Sequence, residues 1–194
     1  LDEQSMFLRE VGDVEGEIRF IPQRKGVLAG LETMDGREAR GWLNDNGGVR
    51  VIDKNFRVPP YGDPGNDWLS LDEWAARRNT SWNSSITEGI LSGDQLAVSR
   101  SNAALSLPTT AQILGAVDVS SYRPGEQIAS APTDRLVPSM DRRGFVENDA
   151  FQQLVDVTRS GLEILGAVDA EIQKQQAVKE AEEATTETKE DIQE

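Results

Sequence analysis

Apolar positions along the chain fall into short patterned runs separated by polar, turn-rich stretches. In "EGEIRFIP", residues 15 to 22, Ile18 and Phe20 alternate with Glu17 and Arg19, and Pro22 closes the run. That period of two predicts a strand. In "MDGREARGWLNDNGG", residues 34 to 48, Ala39, Trp42 and Leu43 recur at helical spacing and Gly47-Gly48 supplies a stop, which predicts a short helix. The runs from Val49 to Ile52 and from Asn55 to Val58 predict a hairpin joined at Asp53-Lys54, with Pro59-Pro60 ending it. Residues 61–94 are rich in Gly, Asp, Asn and Ser and read as loop, with a turn or two of helix around "LDEWAARR". "DQLAVSRS", residues 94 to 101, is a further strand candidate. "AQILGAVDVSSY" carries Ile113, Leu114, Val117 and Val119 and predicts a buried strand. Residues 123–140 hold three prolines and read as loop. From Asn148 onward, Phe151, Leu154, Val157, Leu162, Ile164, Leu165 and Val168 recur at the spacing of a long amphipathic helix packed on a sheet.

This order of elements indicates an α+β fold: a mostly antiparallel sheet with helices on one face. Past Ala170 core-forming residues nearly vanish, and residues 170–194 carry eight acidic and three basic side chains. The chain therefore divides into a domain over 1–169 and a tail over 170–194. The tail reads as a frayed solvent helix, a disordered segment or the root of a coiled coil.

Composition narrows the chemistry. Cysteine and histidine are both absent from the 194 residues, which removes disulfides, thiolate or imidazole metal ligands and a Ser-His-Asp triad. The formal charge of −14 opposes direct binding to nucleic acid phosphates. Arginine outnumbers lysine 15 to 5, so the cations favour forked contacts to carboxylate or phosphate. No apolar run approaches the roughly 18 residues of a membrane span, and no secretory leader is visible, which together predict a cytoplasmic protein without a membrane partner. The chain opens on Leu1, which predicts that the sequence starts inside a longer polypeptide.

Several segments, taken together, carry a resemblance. They are Gly48-Val49-Arg50-Val51, Phe56-Arg57-Val58, Pro60-Tyr61-Gly62 and Asp67-Trp68-Leu69, followed by "AQILGAVDV", Asp141-Arg142-Arg143-Gly144, Val146-Glu147-Asn148 and Ala150-Phe151. In order and spacing, over about residues 10 to 168, these resemble the transducer domain of GHKL-superfamily ATPases. That superfamily includes gyrase, the heat-shock chaperone and bacterial ATP-binding proteins related to MORC. Two departures stand out: Ile52-Asp53-Lys54-Asn55 replaces a Tyr-Arg-x-Gly turn, and Arg143 replaces a Glu. The resemblance implies a four-stranded sheet with a left-handed βαβ crossover, as in a ribosomal small-subunit protein domain. It also implies an upstream nucleotide-binding domain that holds ATP and Mg, a homodimer, and a cationic side chain sent by the transducer to the γ-phosphate. This chain has neither an Asp-x-Gly-x-Gly motif nor a Glu-x-x-x-Asn helix before the hairpin, and "DNGGV" at 45 to 49 is explained as a helix stop. The chain alone is therefore expected neither to bind the cofactor nor to hydrolyse ATP.

The resemblance makes Arg142 the candidate γ-phosphate sensor, with Arg143 and Lys54 as secondary candidates. A guanidinium suits that role because it stays charged and donates two parallel hydrogen bonds. The competing reading has these cations paired with Asp141, Glu147 or Asp149, or simply solvated. Tyr61, Asp67 and Trp68 read as structural anchors of the 59–69 loop, and Asn148 as a helix cap with Glu147 and Asp149 near the positive end of the helix dipole. Two other functions stay open. One is a non-catalytic protein-interaction module on the same fold. The other is a carboxylate hydrolase built on Asp67 and Asp72 near tryptophan, which would need two carboxyls facing each other across a cleft.

Overall fold

The computed structural model describes residues 13–24, 27–28, 35–76, 85–90, 107–121, 135–141 and 143–191. The strand candidate at 94–101 lies outside them. Nine elements are numbered here in chain order: β1 (Val14–Phe20), α1 (Gly36–Asn46), β2 (Gly48–Asp53), β3 (Phe56–Val58), α2 (Leu71–Ala76), α3 (Ser85–Ile90), a 3₁₀ turn (Thr110–Gln112), β4 (Ile113–Val119) and α4 (Asp149–Asp191). The strands form one four-stranded sheet in the order β1-β4-β2-β3, with helices on one face. β4 lies antiparallel to β1 and parallel to β2, while β2 and β3 form the antiparallel hairpin. The sheet is thus mixed and mostly antiparallel.

Strand periodicity explains which side is buried. Val49, Val51, Ile113, Val117 and Val119 point into the core, where α4 adds Phe151, Leu154, Val155 and Leu162. The intervening residues of β1, including Glu15, Glu17 and Arg19, are exposed. α1 begins at Asp35, whose carboxylate accepts the N–H groups of Arg37 (2.7 Å) and Glu38 (2.9 Å) in a capping box. It ends at Gly47, whose N–H bonds Leu43 O. Ala39 and Leu43 are its buried residues, whereas Trp42, grouped with them by spacing, is 46 % exposed.

Three sequence expectations need correction. The hairpin turn is Lys54-Asn55 rather than Asp53-Lys54: both turn residues have positive φ (50° and 70°), and Asp53 is the last residue of β2. Period two places Asp53 on the face of Val49 and Val51, so it is buried instead of turning out. Within the loop-rich 61–94 segment, α3 forms in addition to the turn at α2. Its residues "SITEGI" are too few to show a helical period. Finally, Val168, assigned to the apolar stripe of the last helix, is 45 % exposed although Ala167 is buried and residues 169–171 are half-buried, so it lies on the solvent side of α4. α4 itself continues without a break to Asp191, and residues 172–182 are exposed along it.

Candidate functional site

The candidate cations lie around one turn and one hairpin, and both depend on the loop at 59–72. That loop has little backbone pairing of its own, so side chains hold it. The Trp68 indole N–H donates to Val49 O at 2.8 Å, pinning the loop to the core strand β2. The Asp67 carboxylate accepts three backbone N–H groups, from Leu71 (2.6 Å), Asp72 (2.8 Å) and Glu73 (3.2 Å), and so starts α2. Arg159 of α4 donates from Nε to Leu69 O at 2.7 Å. Gly62, at φ +71, lets the loop cross β2 closely, since a Cβ there would lie 2.8 Å from Val49 O.

Tyr61 reaches furthest. It is buried, and its hydroxyl oxygen accepts the N–H of Phe145 at 2.9 Å. Its ring meets those of Trp68, Phe145 and Phe151 with centroids 5.2, 5.9 and 5.7 Å apart. Burial pushes the phenol pKa up from its ordinary value; the Phe145 N–H pulls the other way and nearby Glu147 adds to the rise.

The turn that Phe145 closes is the arginine-bearing segment. Pro138 and Phe145 form an isolated antiparallel bridge, Ser139 N–H donates to Gly144 O at 2.9 Å, and Val146 N–H donates to Val137 O at 2.8 Å. Inside it, Asp141 accepts the Ser139 hydroxyl at 2.5 Å and the Arg143 N–H at 2.9 Å. The Ser139 hydroxyl, then that N–H, lower the Asp141 pKa. Met140 at the tip is fully exposed, and Arg143 is exposed as well. Arg142, the leading candidate, lies outside the described residues; its neighbours on both sides are within this turn. The turn delivers the chain directly into α4, where Asn148 Oδ1 accepts Phe151 N–H at 3.0 Å and Asn148 Nδ2 donates to Arg135 O at 2.8 Å.

Lys54 sits at the tip of the β2–β3 hairpin, and its N–H donates to Val119 O at 3.3 Å. Arg57 of β3 pairs with Asp63, and the Arg50 guanidinium donates to Asn46 O at 3.1 Å.

A small polar depression of about 60 Å³ lies beside the loop, lined by residues including Asn44, Asp63, Asn66, Asp67, Asp72 and Thr110. Its carboxylates are occupied: Asp63 by Arg57, Asp67 by three N–H groups, and Asp72 by the Thr110 N–H (3.0 Å) and hydroxyl. Carboxylates held in this way are poorly placed for the paired acid–base work of a hydrolase. Among the described residues, no group of three or more acidic side chains is disposed to hold a metal ion, and no helix is long and apolar enough to cross a membrane.

The sequence reading missed two polar locks. Asp53 accepts Ser121 N–H (2.9 Å) and hydroxyl (2.6 Å), joining the end of β2 to the residue two beyond β4. Arg24 pairs with Asp169, tying the chain after β1 to the point where α4 leaves the domain. The alternation Val49, Val51, Asp53 was an available signal for the first; the second joins residues 145 apart and has no local signature. No protein-family model matches the chain, and neither any curated protein nor any solved structure matches it.

Proposed function

We propose that the chain is the transducer half of a GHKL-type ATPase. It would couple ATP binding and hydrolysis in a preceding nucleotide-binding domain to conformational change and closure of a homodimer in the cytoplasm. The observation that carries the reading is the turn at 138–145. The Tyr61 hydroxyl accepts the N–H of Phe145, which bridges Pro138 across this turn, and the exposed Arg143 lies on it just ahead of a long helix. A guanidinium on a turn tied at its base in this way would meet a phosphate bound by a neighbouring module with a smaller ordering penalty than one on a free loop. Arg142 would contact the γ-phosphate and stabilise the charge that develops on transfer, with Arg143 and Lys54 in supporting positions. ATP and Mg²⁺ would be held by the preceding domain. The parallel β2–β4 pair, linked through β3, α2 and α3, would be the left-handed crossover of the transducer fold. α4 would then carry the nucleotide state away from the turn.

The exposure of the apolar side chains Phe56 (72 %) and Met140 favours a second reading, in which the chain is a non-catalytic protein-interaction module. Joining this chain to its nucleotide-binding domain, and comparing ATP turnover with that of the nucleotide-binding domain alone, separates the two. The transducer reading predicts a loss of turnover of about two orders of magnitude without this chain, in line with removal of a transition-state cation. Equal turnover with and without it would leave only the interaction-module reading.

A further inference from the structure

We infer that Tyr61 is the positioning residue of the arginine-bearing turn: its hydroxyl and the missing side chain of Gly144 form a matched pair that sets the turn's register. The inference rests on the proposed phosphate-contacting role of that turn. Three observations carry it. The Tyr61 oxygen is a buried acceptor for Phe145 N–H, the backbone group that closes the turn. Gly144 has φ +87, and a Cβ on it would lie 2.7 Å from that same oxygen, so the phenol occupies the space a side chain would take. The neighbouring bonds, Ser139 N–H to Gly144 O in the backbone and Arg143 N–H to the Asp141 carboxylate, then pass this register to the exposed rim of the turn. On its other side the Tyr61 ring leans on Trp68, itself bonded to β2. Packing alone would be served by phenylalanine. The hydroxyl adds a directional bond that no other buried group described here supplies to Phe145. Tyr61 does not itself reach solvent, so its effect on any ligand is indirect.

Tyr61→Phe keeps the ring and deletes only the acceptor. In the 194-residue chain, amide exchange at Phe145 should accelerate roughly tenfold, the scale of one lost hydrogen bond, with ¹⁵N shifts moving across 139–145. In the chain joined to its nucleotide-binding domain, kcat should fall about tenfold while KM for ATP holds, because a displaced turn weakens a transition-state contact more than ground-state binding. Gly144→Ala should harm wild type more than it harms Tyr61→Phe, since the overlap with the hydroxyl is gone in the double variant. Unchanged exchange at Phe145, or equal damage by Gly144→Ala in both backgrounds, would overturn the register pair. Unchanged kcat in Tyr61→Phe, in a protein where Arg142→Ala lowers it, would overturn the functional role. If Arg142→Ala leaves turnover intact, the phosphate-sensor reading fails, and exchange and the double variant still decide whether Tyr61 sets the turn.

Discussion

Replacing Asp67 with alanine should destabilise the fold by about 2 kcal/mol, taking the capping and helix-dipole contributions together. The carboxylate receives the N–H groups of Leu71, Asp72 and Glu73, and these begin α2. Losing an N-cap acceptor costs about 0.5–2 kcal/mol, and the charge at a helix start contributes roughly 0.3–1 more. Leu71, only 2 % exposed, is part of the core, so loosening the first turn of α2 also loosens a packed side chain. Asp67→Asn keeps one acceptor oxygen and removes the charge, and should cost about half as much. For a domain of this size, 2 kcal/mol corresponds to a fall in Tm of roughly 4–8 °C. Urea denaturation followed by tryptophan fluorescence is the suitable assay, since Trp68 and Trp74 pack against the core beside the cap. Far-ultraviolet signal would be dominated by α4 and would report the wrong element. A midpoint for Asp67→Ala equivalent to less than about 0.5 kcal/mol of loss would refute the claim that this carboxylate organises the loop.

Other perturbations have equally definite outcomes. Ser70 holds φ +53, so Ser70→Gly should stabilise by roughly 0.5 kcal/mol once the added freedom of the unfolded chain is set against relief of strain, measured by the same urea titration. Trp68→Phe removes the donor to Val49 O and should cost about 1–2 kcal/mol, with m unchanged. Because the Asp141 pKa is lowered, the contacts of its carboxylate persist above the ordinary aspartate range and are lost as pH falls through the lowered value. The Arg143 amide shift should therefore titrate with a midpoint below that of an unperturbed Asp. Deleting residues 176–194 removes the end of α4, whose side chains are exposed over 176–182, so helical ellipticity should drop while the urea midpoint shifts by the equivalent of less than about 0.5 kcal/mol.

Much of the fold is written in local periodicity. Ile18 and Phe20 in β1 and Val49 and Val51 in β2 alternate with polar or less buried residues, and these strands form within two residues of their expected ends; β4, read from residues 111–122, forms over Ile113–Val119. The helix stop at Gly47 and the cap at Asn148 are local signals too. Asp is a common turn former, so residue type points to Asp53 as part of the turn, one residue ahead of its actual place. Period two had already assigned Asp53 to the core face, where Ser121 satisfies it. Asn55 adopts the left-handed backbone that Asn tolerates better than most residues. Trp42 illustrates the opposite limit: helical spacing identifies a stripe, but the edge of the stripe faces solvent. The contacts from Tyr61 to Phe145, Arg159 to Leu69 and Arg24 to Asp169 span dozens of residues and depend on tertiary arrangement, so no window of sequence carries them.

The central claim is that a turn of this chain lends a guanidinium to a phosphate held by a neighbouring module. Its most direct measurement is single-turnover ATP hydrolysis by the chain joined to the proposed nucleotide-binding domain, comparing wild type with Arg142→Ala at saturating ATP. The account predicts a fall of about a hundredfold in the hydrolytic step with nucleotide affinity nearly unchanged. Hydrolysis at the wild-type rate by Arg142→Ala would contradict it.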